Sequence, residues 1–159
     1  MKPIHVFVLA ALWPLAAAAQ TGAEAVSSEA PGADAPAPFA PVAATEVTLD
    51  SLLYLRRPVV VFADSPNDPN YLRQMELLAQ NYPALAERDV ILVTDTTPNP
   101  ASEWRRKLRP RGFGLVLMDK DLKPVIRKPL PWEVREIVAA IDKFPLRRQE
   151  MLERNPAGR

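Results

Sequence analysis

No cysteine occurs anywhere in the 159 residues, and the only histidine is His5, inside an apolar N-terminal segment. Thiolate nucleophiles, disulfide exchange, Cys/His zinc sites and histidine general bases are therefore excluded together from the body of the chain. What remains is the chemistry of carboxylates, arginines, lysines, hydroxyls and backbone. A nucleophile drawn from Ser65, Thr96 or Thr97 would have only a carboxylate or a lysine as its base. A pair of acids working on a glycosidic bond would need a deep sugar cleft, for which a domain of this size has little room.

Residues 1–19 begin with Lys2, run apolar through Ile4, Val6, Phe7, Val8, Leu9, Leu12, Trp13 and Leu15, and close on Ala17-Ala18-Ala19. This pattern reads as a secretory signal peptide. The apolar core is shorter than the roughly 20 residues of a membrane-spanning helix, contains Pro14 and ends in small residues with A-x-A spacing. A lipid-modified N-terminus requires a cysteine, and none exists. The expected product is periplasmic or secreted, with no transmembrane segment once the signal is cut. Residues 20–47 are built almost wholly from Ala, Pro, Glu, Ser, Gly and Thr, and read as a disordered linker. The linker carries Glu24, Glu29, Asp34 and Glu46 and no base, which leaves 19 bases against 15 acids in residues 48–159. That modest excess favours an anionic partner, while nucleic acid is not expected outside the cytoplasm.

One domain is expected over residues 48–154, with 155–159 as a tail. Without disulfides its stability has to come from packing, which favours a regular layered fold. The run Val59-Val60-Val61-Phe62-Ala63 is continuously apolar, as a central strand covered on both faces should be. Asp68 followed by Pro69 is a helix start, and Leu72, Met75, Leu78, Ala79 and Tyr82 recur at helical spacing up to Pro83. A second strand is expected at 90–93. A second helix is expected behind Asn99-Pro100, with Trp104 and Leu108 one turn apart and Pro110 at its end. Leu115-Val116-Leu117-Met118 and Val125-Ile126 make a hairpin across Asp119-Lys120-Asp121. A last helix from Pro131 buries Val134, Ile137, Val138 and Ile141. The order β-α-β-α-β-β-α is a thioredoxin-like α/β topology in three layers.

The segments Arg57-Pro58-Val59-Val60-Val61-Phe62-Ala63-Asp64-Ser65-Pro66-Asn67-Asp68, Leu108-Arg109-Pro110-Arg111-Gly112-Phe113 and Arg127-Lys128-Pro129 resemble the peroxiredoxin-like domain of unknown function called P-DUDES. That group occurs alone behind signal peptides in proteobacteria and within sushi-repeat extracellular matrix proteins. The resemblance covers the domain but not the linker, and it implies a thioredoxin-like fold with a proposed oxidoreductase role in the wider group. This chain departs from that role at the positions that carry the chemistry. The turn after the first strand, where such folds place a nucleophilic cysteine, reads Asp64-Ser65-Pro66-Asn67-Asp68-Pro69, and Phe113 stands where a proline usually precedes the third strand.

The sequence offers two candidate sites. Asp64, Ser65, Asn67, Asp68, Asp95 and Arg111 fall at the strand-end edge where open α/β sheets bind ligands. Three carboxylates there, with Thr96 nearby, have the oxygen chemistry for calcium or magnesium and would serve a cation-dependent enzyme. The alternative reading is structural: Asp68 caps a helix, Asp64 and Asp95 hold turns, and Arg111 neutralises one of them. The second candidate is the basic run Arg105, Arg106, Lys107, Arg109 and Arg111, bordered by Trp104 and Phe113, as a surface for an envelope protein or an anionic ligand. Its plainer reading is the solvated side of a short helix. No cofactor is expected, and the preferred function is a non-catalytic binding or accessory module.

Overall fold

A computed structural model of the chain describes residues 38–155, so the signal segment, the linker up to residue 37 and the end of the tail lie outside the described residues. The expected central strand forms as β2 (Arg57–Phe62), and every residue in it is buried. Its side chains alternate between two cores, as a period of two requires. Val59 and Val61 face one layer, formed by α1 (Pro69–Gln80), α2 (Tyr82–Ala86) and α4 (Val134–Ile141), where Leu78, Leu85, Ile137 and Ile141 pack. Val60 and Phe62 face the other, formed by α3 (Glu103–Leu108) and a 3-10 turn at Asp50–Leu52, where Trp104, Leu108 and Leu52 pack. Each fully buried aliphatic side chain contributes roughly 1.5–3 kcal/mol, so these two apolar layers hold the sheet without any disulfide.

β3 (Val90–Asp95) runs parallel to β2, and β4 (Gly114–Met118) runs antiparallel to it on the other side. β5 (Pro124–Lys128) pairs antiparallel with β4 and ends the sheet, whose other edge is β1 (Val42–Ala43) and whose order is β1-β3-β2-β4-β5. The fold is a mixed α/β, thioredoxin-like domain, as the element order predicts.

The structure corrects several local expectations. Part of the linker belongs to the sheet: β1 (Val42–Ala43) pairs parallel with β3, and Ala44 is buried. The Val47 carbonyl accepts a hydrogen bond from Trp104 Nε1 at 2.8 Å, which ties this segment to α3. In α1 the buried residues are Gln74, Leu77 and Leu78, whereas Leu72 is exposed. Gln74 is buried because its amide meets the Trp132 backbone twice: Nε2 donates to the carbonyl at 3.0 Å and Oε1 accepts from the amide at 2.8 Å. Asn99 caps nothing. The Asn99–Pro100 peptide is cis, and α3 starts later behind Ser102, whose Oγ accepts from the Arg105 amide at 3.0 Å. The last core helix starts at Val134 rather than at Pro131, and a further helix, α5 (Pro145–Arg154), comes after it.

The hairpin connection also does more than turn the chain. Asp119 is buried and accepts from Arg57 Nε at 3.0 Å, while Glu150 of α5 accepts from Arg57 Nη2 at 2.7 Å and from Lys120 Nζ at 2.9 Å. Burial would push the Glu150 carboxyl up. The hydrogen bonds and charges of Arg57 and Lys120 outweigh it and hold the carboxyl down at about 2. Beside it, hydrogen bonds from Arg88 are the main cause that lowers Asp142 below the usual carboxylate range.

Candidate functional site

The turn after β2 holds four of the expected edge residues, and each already has a local contact. Asp68 caps α1, its Oδ1 accepting from the amides of Asn70 at 2.8 Å and Tyr71 at 3.1 Å. Ser65 Oγ accepts from the Asn67 amide at 3.2 Å. Asp64 is exposed, with one carboxylate oxygen 3.4 Å from Arg105 Nη1. Asp95, at the end of β3, is buried, accepts from Ser102 Oγ at 2.5 Å and pairs with Arg105 Nε at 2.9 Å. Asp64 and Asp95 are therefore both engaged by one guanidinium, which supplies the positive charge a cation would bring. Among the described residues no three His, Cys, Asp or Glu side chains come together in a way that would hold a metal ion.

The neutralising arginine is Arg105 and not Arg111. Arg105 is only 8% exposed. Besides Asp95 and Asp64 it donates from Nη2 to the carbonyls of Ala63 and Asp95, and its guanidinium lies 5.6 Å from the Phe62 ring centroid. It faces inward because it shares one helix face with Trp104 and Leu108, the buried side of α3, leaving Arg106 and Lys107 outside. Arg105 is thus removed from the basic surface read from the sequence. Arg106 stays exposed and donates to the Ala101 carbonyl at 2.8 Å.

The other two arginines of the run meet new neighbours. Arg109 ends α3 in the left-handed conformation, φ 47°, where helices usually place glycine. The chain then turns through Pro110 and Arg111 and enters β4, leaving a cleft of about 250 Å³ against the end of β5. Four cations line it: Arg109, Arg111, Arg127 and Lys128, around Phe113 and the backbone of Gly114. Arg127 Nη1 donates to the Leu108 carbonyl at 2.7 Å, and Lys128 Nζ sits 4.3 Å from the Trp132 ring centroid. Neither contact neutralises charge. Among the described residues none of the four forms an ion pair, whereas the buried arginines Arg57 and Arg105 both do. Uncompensated like charges in a concave, partly apolar site attract anions, and planar guanidinium groups suit carboxylate or phosphate oxygens.

Sequence reasoning misses Arg127 and Lys128 because they reach the cleft only through the β4–β5 pairing that sets Lys128 beside Leu115. Their one local sign is a pair of adjacent cations at the end of a short strand. A second hollow, of about 200 Å³, is lined by Thr45, Thr94, Thr96 and Thr97 beside Asp95, and it holds no unpaired charge.

A family model described as Domain of unknown function (DUF4174) matches residues 48–150. No curated protein matches the chain.

Proposed function

We propose that this chain, which belongs to the DUF4174 family, is an exported binding module that recognises an anionic partner through the cleft of Arg109, Arg111, Arg127 and Lys128 and carries out no chemistry of its own. The observation that supports this reading is the gathering of four cations, free of carboxylate partners among the described residues, around one concave site. The strand-end carboxylates lend less support to a cation-dependent enzyme, since Asp68 caps a helix and Asp64 and Asp95 share Arg105. Thiol oxidoreductase chemistry of the kind proposed for the peroxiredoxin-like group has no cysteine to work with. Export is part of the proposal and rests on residues 1–19. Cell fractionation with N-terminal sequencing of the product tests it.

For binding, the full chain is titrated calorimetrically with short polyglutamate, a heparin oligosaccharide and pyrophosphate. Saturable binding of at least one probe is expected, weakening as salt screens the charges and falling by about tenfold or more in an Arg109→Glu/Arg111→Glu variant. Absence of saturable binding to all three at low salt would leave the domain as a structural head only.

A further inference from the structure

Strand β5 is the last in the sheet order, and among the described residues no strand pairs with its outer side. It is also the least covered strand, with Pro124, Val125 and Arg127 exposed and Val125 at 47%. Two depressions meet it. Along Val125 and Ile126 runs an apolar groove of about 460 Å³, bounded by Trp132, Ala140 and Phe144. At its other end lies the cationic cleft, to which β5 contributes Arg127 and Lys128. One short strand thus presents an unpaired backbone edge, an apolar groove and a cluster of free cations in succession.

We infer that β5 is the docking edge for an extended segment of a partner protein, which adds as a sixth strand, sets apolar side chains in the groove and turns acidic ones toward Arg109, Arg111, Arg127 and Lys128. The inference rests on the anion-binding reading of the cleft and names the kind of partner. Each feature selects for part of that description. An unpaired edge offers amides and carbonyls only another polypeptide backbone can match in series. The groove takes aliphatic or aromatic side chains, and four cations without a carboxylate ask for Asp or Glu. At about 3.3 Å per residue, the five residues of β5 span roughly 16 Å, so a segment of about seven residues covers the strand and one position beyond each end. A second copy of this strand is a poor occupant, because β5 brings two more cations and no carboxylate. A phosphate or an anionic sugar would fill the cleft alone and use neither the edge nor the groove.

The test uses the full chain and a synthetic peptide of about seven residues. One half of the peptide alternates valine and threonine, the other half is aspartate and glutamate, and the reversed sequence is made as well. Each is also prepared with N-methyl groups on one alternating set of amides or on the other. In an added strand only one set faces β5, so methylating that set is expected to weaken binding by about tenfold or more while methylating the other changes little. Bound peptide is also expected to slow amide hydrogen exchange within residues 125–128. Equal affinity of all methylated forms would overturn the docking edge and leave the anion cleft standing. A heparin oligosaccharide that binds while the peptides do not would make the cleft a glycan site. Failure of every probe, polyglutamate included, would remove both readings.

Discussion

Arg57 and Arg105 grip opposite ends of the same strand. Arg57 is the first residue of β2, and Arg105 donates to the carbonyl of Ala63, the residue just past the strand's last. Each guanidinium is buried and paired with a carboxylate from another element, Asp119 at one end and Asp95 at the other. The planar fork of arginine spreads five donors over three nitrogens and so reaches a carboxylate and a carbonyl in different directions, whereas a lysine has its three donors on a single nitrogen. Among the described residues no buried side-chain nitrogen or oxygen is left without a partner.

Removing one member of such a pair is costly because the other is left charged in a dry place. Asp95→Ala is expected to lower stability by about 3–5 kcal/mol, and the double change Asp95→Leu/Arg105→Met to restore much of it. Urea unfolding of the three proteins checks this. A loss below about 1 kcal/mol for Asp95→Ala would mean that water reaches Arg105 and the pair is not structural.

Acid should loosen the other end of β2. The Glu150 carboxyl is lowered from an ordinary 4.5 to about 2 in the folded chain. The stability this provides is therefore complete above about pH 4.5 and is lost as the pH falls toward 2. The full shift corresponds to roughly 3 kcal/mol at most. Asp142, also lowered, acts in the same direction. Urea midpoints at neutral pH and near pH 3 are expected to fall further apart in the wild type than in Glu150→Gln. An equal separation of midpoints in the two proteins would remove Glu150 from the account.

Gln74 substitutes for a strand partner by satisfying both backbone groups of Trp132. Gln74→Ala leaves those groups to find water and should cost about 2 kcal/mol. Because Trp104 is fully buried on the other side of the sheet, a red shift in tryptophan emission would report Trp132. An unchanged spectrum with unchanged stability would show that the Gln74 contact is incidental.

Arg109 separates stability from binding. Its left-handed backbone is strained for any residue with a Cβ, so Arg109→Gly should raise stability by roughly 0.5–1 kcal/mol. The same change removes one of the four cleft cations and should weaken polyglutamate binding severalfold. Thermal melting and titration of this one variant read both effects, and a more stable protein with undiminished affinity would exclude Arg109 from the binding surface.

Local signals in the sequence carried most of the frame. The uninterrupted valines of β2, the Asp68-Pro69 start of α1 and the paired apolar runs of β4 and β5 each state their structure within a few residues. Competition between equivalent signals explains the displaced α3 start, since Asn99-Pro100 and Ser102-Glu103 are both good helix openings and only the second is used. The buried polar residues were hidden for another reason. Gln74, Arg57 and Arg105 are inside because of partners 58, 62 and 10 residues away, and hydrophobic spacing does not register a charge that is buried by pairing. The cleft was half visible for the same reason: Arg109 and Arg111 are neighbours in sequence, whereas Arg127 and Lys128 join them only through strand pairing.

The bond from Trp104 to the Val47 carbonyl shifts where the domain can be cut. A fragment begun at residue 48, where the family match begins, would lose β1, bare part of the Val90–Asp95 edge and leave an indole N–H in a dry core without its acceptor. Such an apolar edge invites a second molecule to pair with it. A fragment made to study binding at β5 would then acquire a second sticky edge at the opposite side of its sheet, and any self-association would masquerade as partner recognition unless the chain from residue 42 onward is kept.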